Sequence, residues 1–146
     1  MKSKGAEMAV VDASVYIALI NADEAGHAAS WRWYIQTVRS GEQIYAPTII
    51  LGEVAAALSR GMNDSDLARR ATRRLERSRA IELVAVTVAL GKAAALIAAD
   101  HRIRGCDAVY VALAHSRHEC LVTLDQQQLD RGSAVVETRQ PVQNTL

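Results

Sequence analysis

Four acidic residues interrupt apolar stretches of the chain, where a charged side chain is hard to explain by folding alone. They are Asp12, Glu53, Asp107 and Asp125. A buried carboxylate is costly unless it is paired, protonated or bound to a metal ion. Carboxylate oxygens suit Mg²⁺ and Mn²⁺, and a metal held in this way can activate water and neutralise charge on a phosphoryl oxygen. The four acids therefore predict one shared site for a hard divalent cation.

Each acid also has an ordinary structural explanation when it is taken singly. Asp12 could form a turn, and Glu53 could lie on an exposed helix face. Asp107 and Asp125 could each cap a helix. The joint placement of the acids, after two predicted strands and in the first turns of two predicted helices, favours a functional site. The residues alone name no reaction.

Short apolar segments alternate with helical patterns, which is typical of an α/β sandwich around a mainly parallel sheet. Strands are predicted at 8–11, 44–46, 81–86, 120–124 and 134–137. Helices are predicted at 13–20, 28–39, 48–61, 63–79, 88–101, 106–117 and, as a single turn, 126–130. Thr48 and Thr87 are predicted to cap the helices that follow them. Ligands of such sheets bind beyond the carboxyl ends of the strands, so all four acids are expected at that edge.

The composition fits one folded domain spanning residues 1–146. Half of the residues are apolar, which argues against disorder. Cys106 and Cys120 lack both metal-finger spacing and the density of a disulfide framework, so both are predicted to be buried, reduced thiols. No segment reaches the roughly 18 apolar residues of a membrane span, and none has the pattern of a signal peptide. A cytoplasmic protein without a membrane partner is expected.

A strongly basic segment contrasts with the net charge of +1. Six arginines and a single glutamate lie between residues 69 and 79. Arg69, Arg73 and Arg77 fall on one helical stripe, which predicts a surface for RNA; a solvated helix face is the alternative. Arg102 and Arg104 lie just before the third acid and are predicted to reach phosphates near the site.

Four segments together resemble the PIN-domain family, and in particular its small toxin ribonucleases of the VapC type. The segments are Val-Val-Asp-Ala-Ser (10–14), Leu-Gly-Glu-Val (51–54), Arg-Gly-Cys-Asp-Ala-Val-Tyr-Val-Ala-Leu-Ala (104–114) and Leu-Val-Thr-Leu-Asp (121–125). Their order and spacing match the family, as does the total length. The resemblance implies a PIN-like three-layer α/β/α sandwich. It also implies that Asp12, Glu53, Asp107 and Asp125 form a metal-binding quartet at the mouth of the sheet.

The resemblance further implies an activity and partners. Members cut single-stranded or looped RNA with Mg²⁺ or Mn²⁺, commonly form homodimers, and are silenced by a small VapB-like antitoxin. Ser14 and Thr123 match polar residues that accompany the first and last acids in many members, where they would orient the ligands. Leu129 departs from the pattern, since many relatives carry Phe there. Asp130 could add a fifth, peripheral carboxylate, but a solvated acid at a helix end is the preferred interpretation.

Other functions are weighed against the nuclease. A haloacid-dehalogenase-like phosphatase needs a second Asp two residues after its first, and this chain has Ser14 there. A DNA-directed nuclease usually has a longer chain and further acids. A non-catalytic PIN-like module that binds RNA or a protein partner is the stronger alternative.

A partner surface is predicted from apolar residues near the start of the chain. It comprises Val15, residues 17–20 and the apolar face of the second helix, which carries Trp31 and Tyr34. This surface is the candidate contact for a second copy or for the antitoxin.

Overall fold

A parallel sheet forms the centre of the computed structural model, which describes residues 8–142. The ends of the predicted domain, 1–146, therefore lie outside the described residues. Within them the strands are β1 (Ala9–Val11), β2 (Ile44–Pro47), β3 (Ile81–Val84), β4 (Cys120–Val122) and β5 (Thr138–Arg139). All neighbouring strands run parallel in the order β3-β2-β1-β4-β5. The predicted mainly parallel sheet is confirmed.

Helices connect the strands, as the pattern of the sequence predicts. They are α1 (Ala13–Ile20), α2 (His27–Arg39), α3 (Ile49–Gly61), α4 (Ser65–Glu76), α5 (Val88–His101) and α6 (Gly105–Arg117), followed by a π-helical turn at Gln128–Gly132. No helix within residues 8–142 combines the length and apolar composition that a membrane span requires.

The sheet is covered on both faces. Every residue of β1 and β2 is buried, which requires neighbours above and below the strands. Helix α6 contacts β1, β2 and β4 and pairs with α5, while α1 contacts α2 and α3, and α3 contacts α4. The core is mainly aliphatic, with a few buried aromatic residues such as Tyr110 and Trp33, and the α/β sandwich is confirmed.

The strand order reverses between β1 and β4, and this point brings Asp12 next to the segment that follows β4. Val11 is in register with Val122, and the amide of Asp12 donates a 3.1 Å hydrogen bond to the carbonyl of Val122. Residues that follow the two strands, Asp12 and Thr123, therefore leave the sheet together. In parallel sheets such a switch point is where ligands bind.

Of the two threonines that were predicted to cap helices, one does so in the structure. Thr87 accepts a 3.1 Å hydrogen bond from the Leu90 amide and caps α5, as predicted. Thr48 makes no side-chain cap with any described residue, so its prediction as a cap is wrong. The reason is that Thr48 already has helical backbone angles (φ −57°, ψ −22°), whereas a capping residue needs an extended conformation.

Several predicted ends differ from the observed ones. Helix α4 ends at Glu76 and not at 79, β3 ends at Val84 and not at 86, and β4 ends at Val122 and not at 124. The last strand is not at 134–137 but at Thr138–Arg139. Val135 and Val136 pack against the core from a turn that follows the π-helix, so their apolar pattern reflects burial and not pairing.

The two cysteines do not form a disulfide within the described chain. Cys120 is half-buried at the start of β4, but Cys106 is exposed in the first turn of α6. The prediction that both thiols are buried is wrong for Cys106, because the first turn of α6 faces solvent at Gly105 and Cys106.

Candidate active site

Asp12 lies in the centre of the candidate site, directly after β1 and before α1. Its side chain is buried, with 4% of the residue exposed. The hydroxyls of Ser14 and Thr123 donate hydrogen bonds of 2.8 and 2.6 Å to the same oxygen, Oδ2. The amides of Leu124 and Asp125 in turn donate to these two hydroxyls at 3.0 Å each. The chain after β4 therefore fixes the orientation of the Asp12 carboxylate.

The surroundings of Asp12 make its negative charge costly. Burial raises the pKa of its carboxyl to about 6, against the opposing effect of the hydrogen bonds from Thr123 and Ser14. The negative charges of Asp107 and Glu53 raise this pKa further, which shows that their fields reach Asp12. A cation bound beside Asp12 would relieve this cost.

Glu53 reaches the site from the second turn of α3 and is held by a tyrosine. The Tyr110 hydroxyl donates a 2.6 Å hydrogen bond to Oε1 of Glu53. Burial raises the pKa of Glu53, and the bond from Tyr110 lowers it. Tyr110 is fully buried in α6 and was not identified in the sequence as a site residue. A signal exists, because Tyr110 lies three residues after Asp107, and residues at that spacing share a helix face.

Arg104 joins the two remaining acids. Its Nε lies 3.1 Å from Oδ2 of Asp107, and its Nη2 lies 3.0 Å from Oδ2 of Asp125. The predicted phosphate-binding arginine is therefore held against carboxylates in this structure.

The four carboxylates suit a hard cation chemically, but in this structure they do not converge on one point. Within residues 8–142 no three carboxylate, imidazole or thiolate groups surround a common point. The guanidinium of Arg104 accounts for part of this, because it holds Asp107 and Asp125. Mg²⁺ keeps several waters and needs only one or two protein carboxylates. The oxygen Oδ1 of Asp12 receives no hydrogen bond from the described residues, so it is available to such an ion.

The predicted basic stripe is divided between a cleft and the open surface. A cleft of about 790 Å³ is lined by the arginines Arg70, Arg73, Arg74, Arg77 and Arg79 and by apolar or aromatic side chains that include Ile20, Tyr34 and Leu67. Arg73 and Arg77 therefore share one cleft, as their spacing suggests. Arg69 does not line it and forms an ion pair with Asp66 on the exposed side of α4.

The cleft is separate from the acids. Ala80, at one end of it, immediately precedes β3, and its carbonyl accepts a hydrogen bond from the amide of Ile44, the first residue of β2. That end of the cleft is thus at the amino edge of the sheet, whereas Asp12 lies at the carboxyl edge. None of the four acids lines the cleft.

The side chains of two further residues considered in the sequence form no hydrogen bond or ion pair with the four acids among residues 8–142. Arg102 ends α5 with a left-handed backbone (φ 55°), and its carbonyl accepts a hydrogen bond from Arg131. Its side chain forms no ion pair with the described residues. The carboxylate of Asp130 accepts a hydrogen bond from Gln126, as a solvated helix-end acid would.

The predicted partner surface is only partly exposed. Val15 is completely buried, so it cannot contact a partner, and its assignment to that surface is wrong. The cause is that α1 lies under α2 and α3. On α2 the buried residues are Ser30, Trp33 and Thr37, while the apolar residues Trp31, Ile35 and Val38 are exposed on the opposite side.

Comparisons with known proteins agree with this fold. The PIN domain family model matches residues 9–133, a range that contains all four acids. A search of the curated proteins found no match. Among solved structures, VapC20 from Mycobacterium tuberculosis, described as a sarcin-ricin loop cleaving toxin, has a TM-score of 0.74 and 24% identity, over 90% of this chain and 98% of that chain.

Two further solved structures have the same fold at lower identity. VapBC2 from Rickettsia felis, bound to a DNA fragment from its promoter, has a TM-score of 0.71 and 10% identity over 91% of this chain and 98% of that chain. FitAcB from Neisseria gonorrhoeae has a TM-score of 0.69 and 16% identity over 92% and 98%. These likenesses show a shared fold, and the family match covers most of the sequence. The chain belongs to the PIN domain family.

Proposed function

We propose that this protein is a Mg²⁺- or Mn²⁺-dependent endoribonuclease, the cytoplasmic toxin of a VapBC-type toxin–antitoxin system. The observation that carries the proposal is Asp12: a buried, oriented carboxylate at the switch point of a PIN sheet, within the fields of Asp107 and Glu53. Burial disfavours the negative charge of a carboxylate, and a bound cation would stabilise that charge. The described similarity to a sarcin-ricin loop cleaving toxin supports RNA as the substrate class.

In the proposed mechanism the four acids have different roles. Asp12, Asp107 and Asp125 would hold the metal ion directly or through water, and Glu53 would ligate it or hold the attacking water. The ion, when bound, would lower the pKa of that water and neutralise charge on the phosphoryl oxygens. Ser14 and Thr123 keep Oδ2 of Asp12 occupied with hydrogen bonds, so that Oδ1 would be left for the metal ion.

Tyr110 has a supporting part in this mechanism. Its hydrogen bond fixes Oε1 of Glu53 and lowers the pKa of that carboxyl, against the effect of burial. The bond therefore holds Glu53 in one position and offsets part of the cost that burial places on its charge. An ionised, fixed carboxylate can accept a proton from an attacking water.

The experiment that tests the activity is cleavage of a mixed RNA pool by purified, folded protein with Mg²⁺ or Mn²⁺. An EDTA reaction and the variant Asp12→Asn serve as controls. Cleavage that requires metal and is lost in the variant supports the proposal. Absence of cleavage by folded, partner-free protein across transfer, ribosomal and messenger RNA would favour a non-catalytic binding module.

The arginine cleft supports a protein partner for this toxin. Its five arginines form no ion pair with the described residues, and apolar side chains such as Ile20 and Leu67 lie among them. An acidic, amphipathic segment of an antitoxin complements both properties. Two of the five, Arg73 and Arg77, belong to the stripe that was predicted to bind RNA. The placement of the cleft away from the acids favours the antitoxin.

Charge reversal separates these two uses of the cleft. In the double variant Arg73→Glu/Arg77→Glu we expect the affinity for the antitoxin to fall at least tenfold and to lose most of its salt dependence. The matched control is Arg60→Glu, an exposed arginine of α3 outside the cleft. Unchanged antitoxin affinity with weakened RNA binding would assign the cleft to RNA instead.

We further propose that the toxin forms a homodimer through α2. Trp31, Ile35 and Val38 form an exposed apolar face on this helix, and such faces mark protein contacts. Sedimentation of the protein and of Ile35→Asp tests this proposal. A dimer that Ile35→Asp converts to a monomer supports it, whereas a dimer that persists in this variant contradicts it.

A further inference from the structure

Arg104 bridges two acids of the candidate site from the solvent side. Its side chain is 67% exposed, whereas the side chains of Asp107 and Asp125 beneath it are only 13% and 25% exposed. The guanidinium contacts each carboxylate through one nitrogen, at 3.1 and 3.0 Å, and does not grip either one with two. It therefore covers the acids and links the start of α6 to the chain after β4.

The backbone around Arg104 is fixed, so only its side chain is available to move. Ile103, the preceding residue, is buried in the core. The carbonyl of Arg104 accepts a 2.9 Å hydrogen bond from the amide of Ala108 in the first turn of α6. A departure of the guanidinium from the acids thus requires side-chain rotation and no rearrangement of the loop. Exposed ion pairs of this kind are weak, because water screens them and both side chains lose freedom.

Arg104 is also the cation that balances the site. In the described part of the chain it is the only basic residue in an ion pair with any of the four acids. Its positive charge lowers the pKa of Glu53, and the charges of Asp107, Asp125 and Asp12 raise the pKa of Arg104. The field of this one guanidinium therefore extends across all four acids.

A divalent cation held by Asp107 and Asp125 would compete with the Arg104 guanidinium for their carboxylates. We propose that Arg104 is an exchangeable counter-ion: it bridges Asp107 and Asp125 in the metal-free protein, leaves them when the metal binds, and then contacts a phosphate of the RNA. The planar fork of arginine suits phosphate oxygens as well as carboxylates. This inference rests on the proposed function, and it reconciles the predicted phosphate contact with the observed carboxylate contacts.

The proposal predicts that one substitution, Arg104→Gln, strengthens Mn²⁺ binding and slows RNA cleavage. In Arg104→Gln a competitor for the carboxylates is lost, so we expect the dissociation constant for Mn²⁺, measured by calorimetry, to decrease at least threefold. The phosphate contact is also lost, so we expect RNA cleavage at saturating Mn²⁺ to slow at least tenfold. Arg104→Lys should lie between the wild type and Arg104→Gln in both measurements, because a single ammonium cannot bridge both acids in the same way.

A matched control removes the same charge elsewhere. Arg39→Gln changes an exposed arginine in the last turn of α2, before β2 begins, and we expect its Mn²⁺ affinity to equal that of the wild type. Far-ultraviolet circular dichroism and melting in EDTA verify that all variants fold. A tighter affinity in Arg104→Gln but not in Arg39→Gln, together with slower cleavage, supports the proposal.

The outcomes that overturn the inference differ from those that overturn the function. If the wild type binds Mn²⁺ and cuts RNA, but Arg104→Gln binds Mn²⁺ no more tightly than Arg39→Gln, the exchange is refuted and the nuclease stands. Tighter binding with undiminished cleavage refutes the phosphate contact. A wild-type protein that neither binds Mn²⁺ nor cuts RNA overturns both the function and the inference.

Discussion

The hydroxyl of Tyr110 donates a 2.6 Å hydrogen bond to Oε1 of Glu53 and so joins α6 to α3 beneath the candidate site. Tyr110 is completely buried, and Glu53 is half-buried. A buried donor aimed at a carboxylate favours the ionised form of that carboxylate. A buried residue of the core thus stabilises the charge of Glu53, while the exposed Arg104 pairs with Asp107 and Asp125 on the solvent side.

Tyr110→Phe tests the support of Glu53. Loss of the hydrogen bond should cost about 1–2 kcal/mol of unfolding free energy. It should also raise the pKa of Glu53, so the acidic limb of the pH–rate profile should move to higher pH. Tyr45→Phe is the matched control, because Tyr45 is also buried but lies in β2, where its hydroxyl contacts no acid among residues 8–142. A pH–rate profile in Tyr110→Phe identical to that of Tyr45→Phe would remove Tyr110 from the mechanism.

Thr123→Val tests the orientation of Asp12. The substitution keeps the shape of the side chain and removes the 2.6 Å hydrogen bond to Oδ2. We expect a loss of roughly 2 kcal/mol of stability, as for hydrogen bonds to charged groups, and at least tenfold weaker Mn²⁺ binding. Thr37→Val removes a buried hydroxyl that bonds to the Trp33 carbonyl away from the site. If both variants bind Mn²⁺ equally well, Thr123 does not position a metal ligand.

The raised pKa of Asp12 predicts a pH dependence for the metal-free protein. The pKa is about 6 in the folded state and 3.8 in the reference state, so a proton on Asp12 favours folding. This contribution is fully present below pH 3.8 and is lost as the pH rises through 6. Between pH 5 and 7.5 the wild type should lose roughly 1 kcal/mol more stability than Asp12→Asn. Denaturant titrations in EDTA measure this difference, and parallel curves for the two proteins would refute the shifted pKa.

Metal should reverse that trend. Metal binding requires the ionised carboxylates, so stabilisation by Mn²⁺ should increase from pH 5 to pH 7. At a Mn²⁺ concentration 100 times its dissociation constant, the stabilisation should be about 2.7 kcal/mol, which raises the melting temperature by roughly 8 °C. Differential scanning calorimetry measures the rise. A melting temperature that does not respond to saturating Mn²⁺ would contradict the metal site.

The sequence predicted the edge of the sheet where the site forms, but not the neighbours within it. That Asp12 and Asp125 follow strands was evident from the apolar runs before them. The contact between Asp12 and Thr123 joins residues 111 positions apart and depends on the pairing of β1 with β4. Strand order of this kind is set by long-range packing, which a local pattern does not encode.

The sequence also did not predict which side chains contact each other in the candidate site. Arg104 was assigned to phosphate because of its charge and position, yet in the structure it contacts Asp125, which lies 21 residues further along the chain. Tyr110 looked like one more apolar residue of α6, and only its hydrogen bond to Glu53 places it at the candidate site. In both cases the residue type was informative, and the partner could be read only from the fold.

The most direct test of the central claim is a crystal of the protein grown or soaked with Mn²⁺ and measured for anomalous scattering. We predict an anomalous peak beside Oδ1 of Asp12, between that residue and Asp107, with the Arg104 side chain turned away from Asp107 and Asp125. A crystal of RNA-cleaving protein with no Mn²⁺ peak at these carboxylates, or with a peak only elsewhere, would contradict the account.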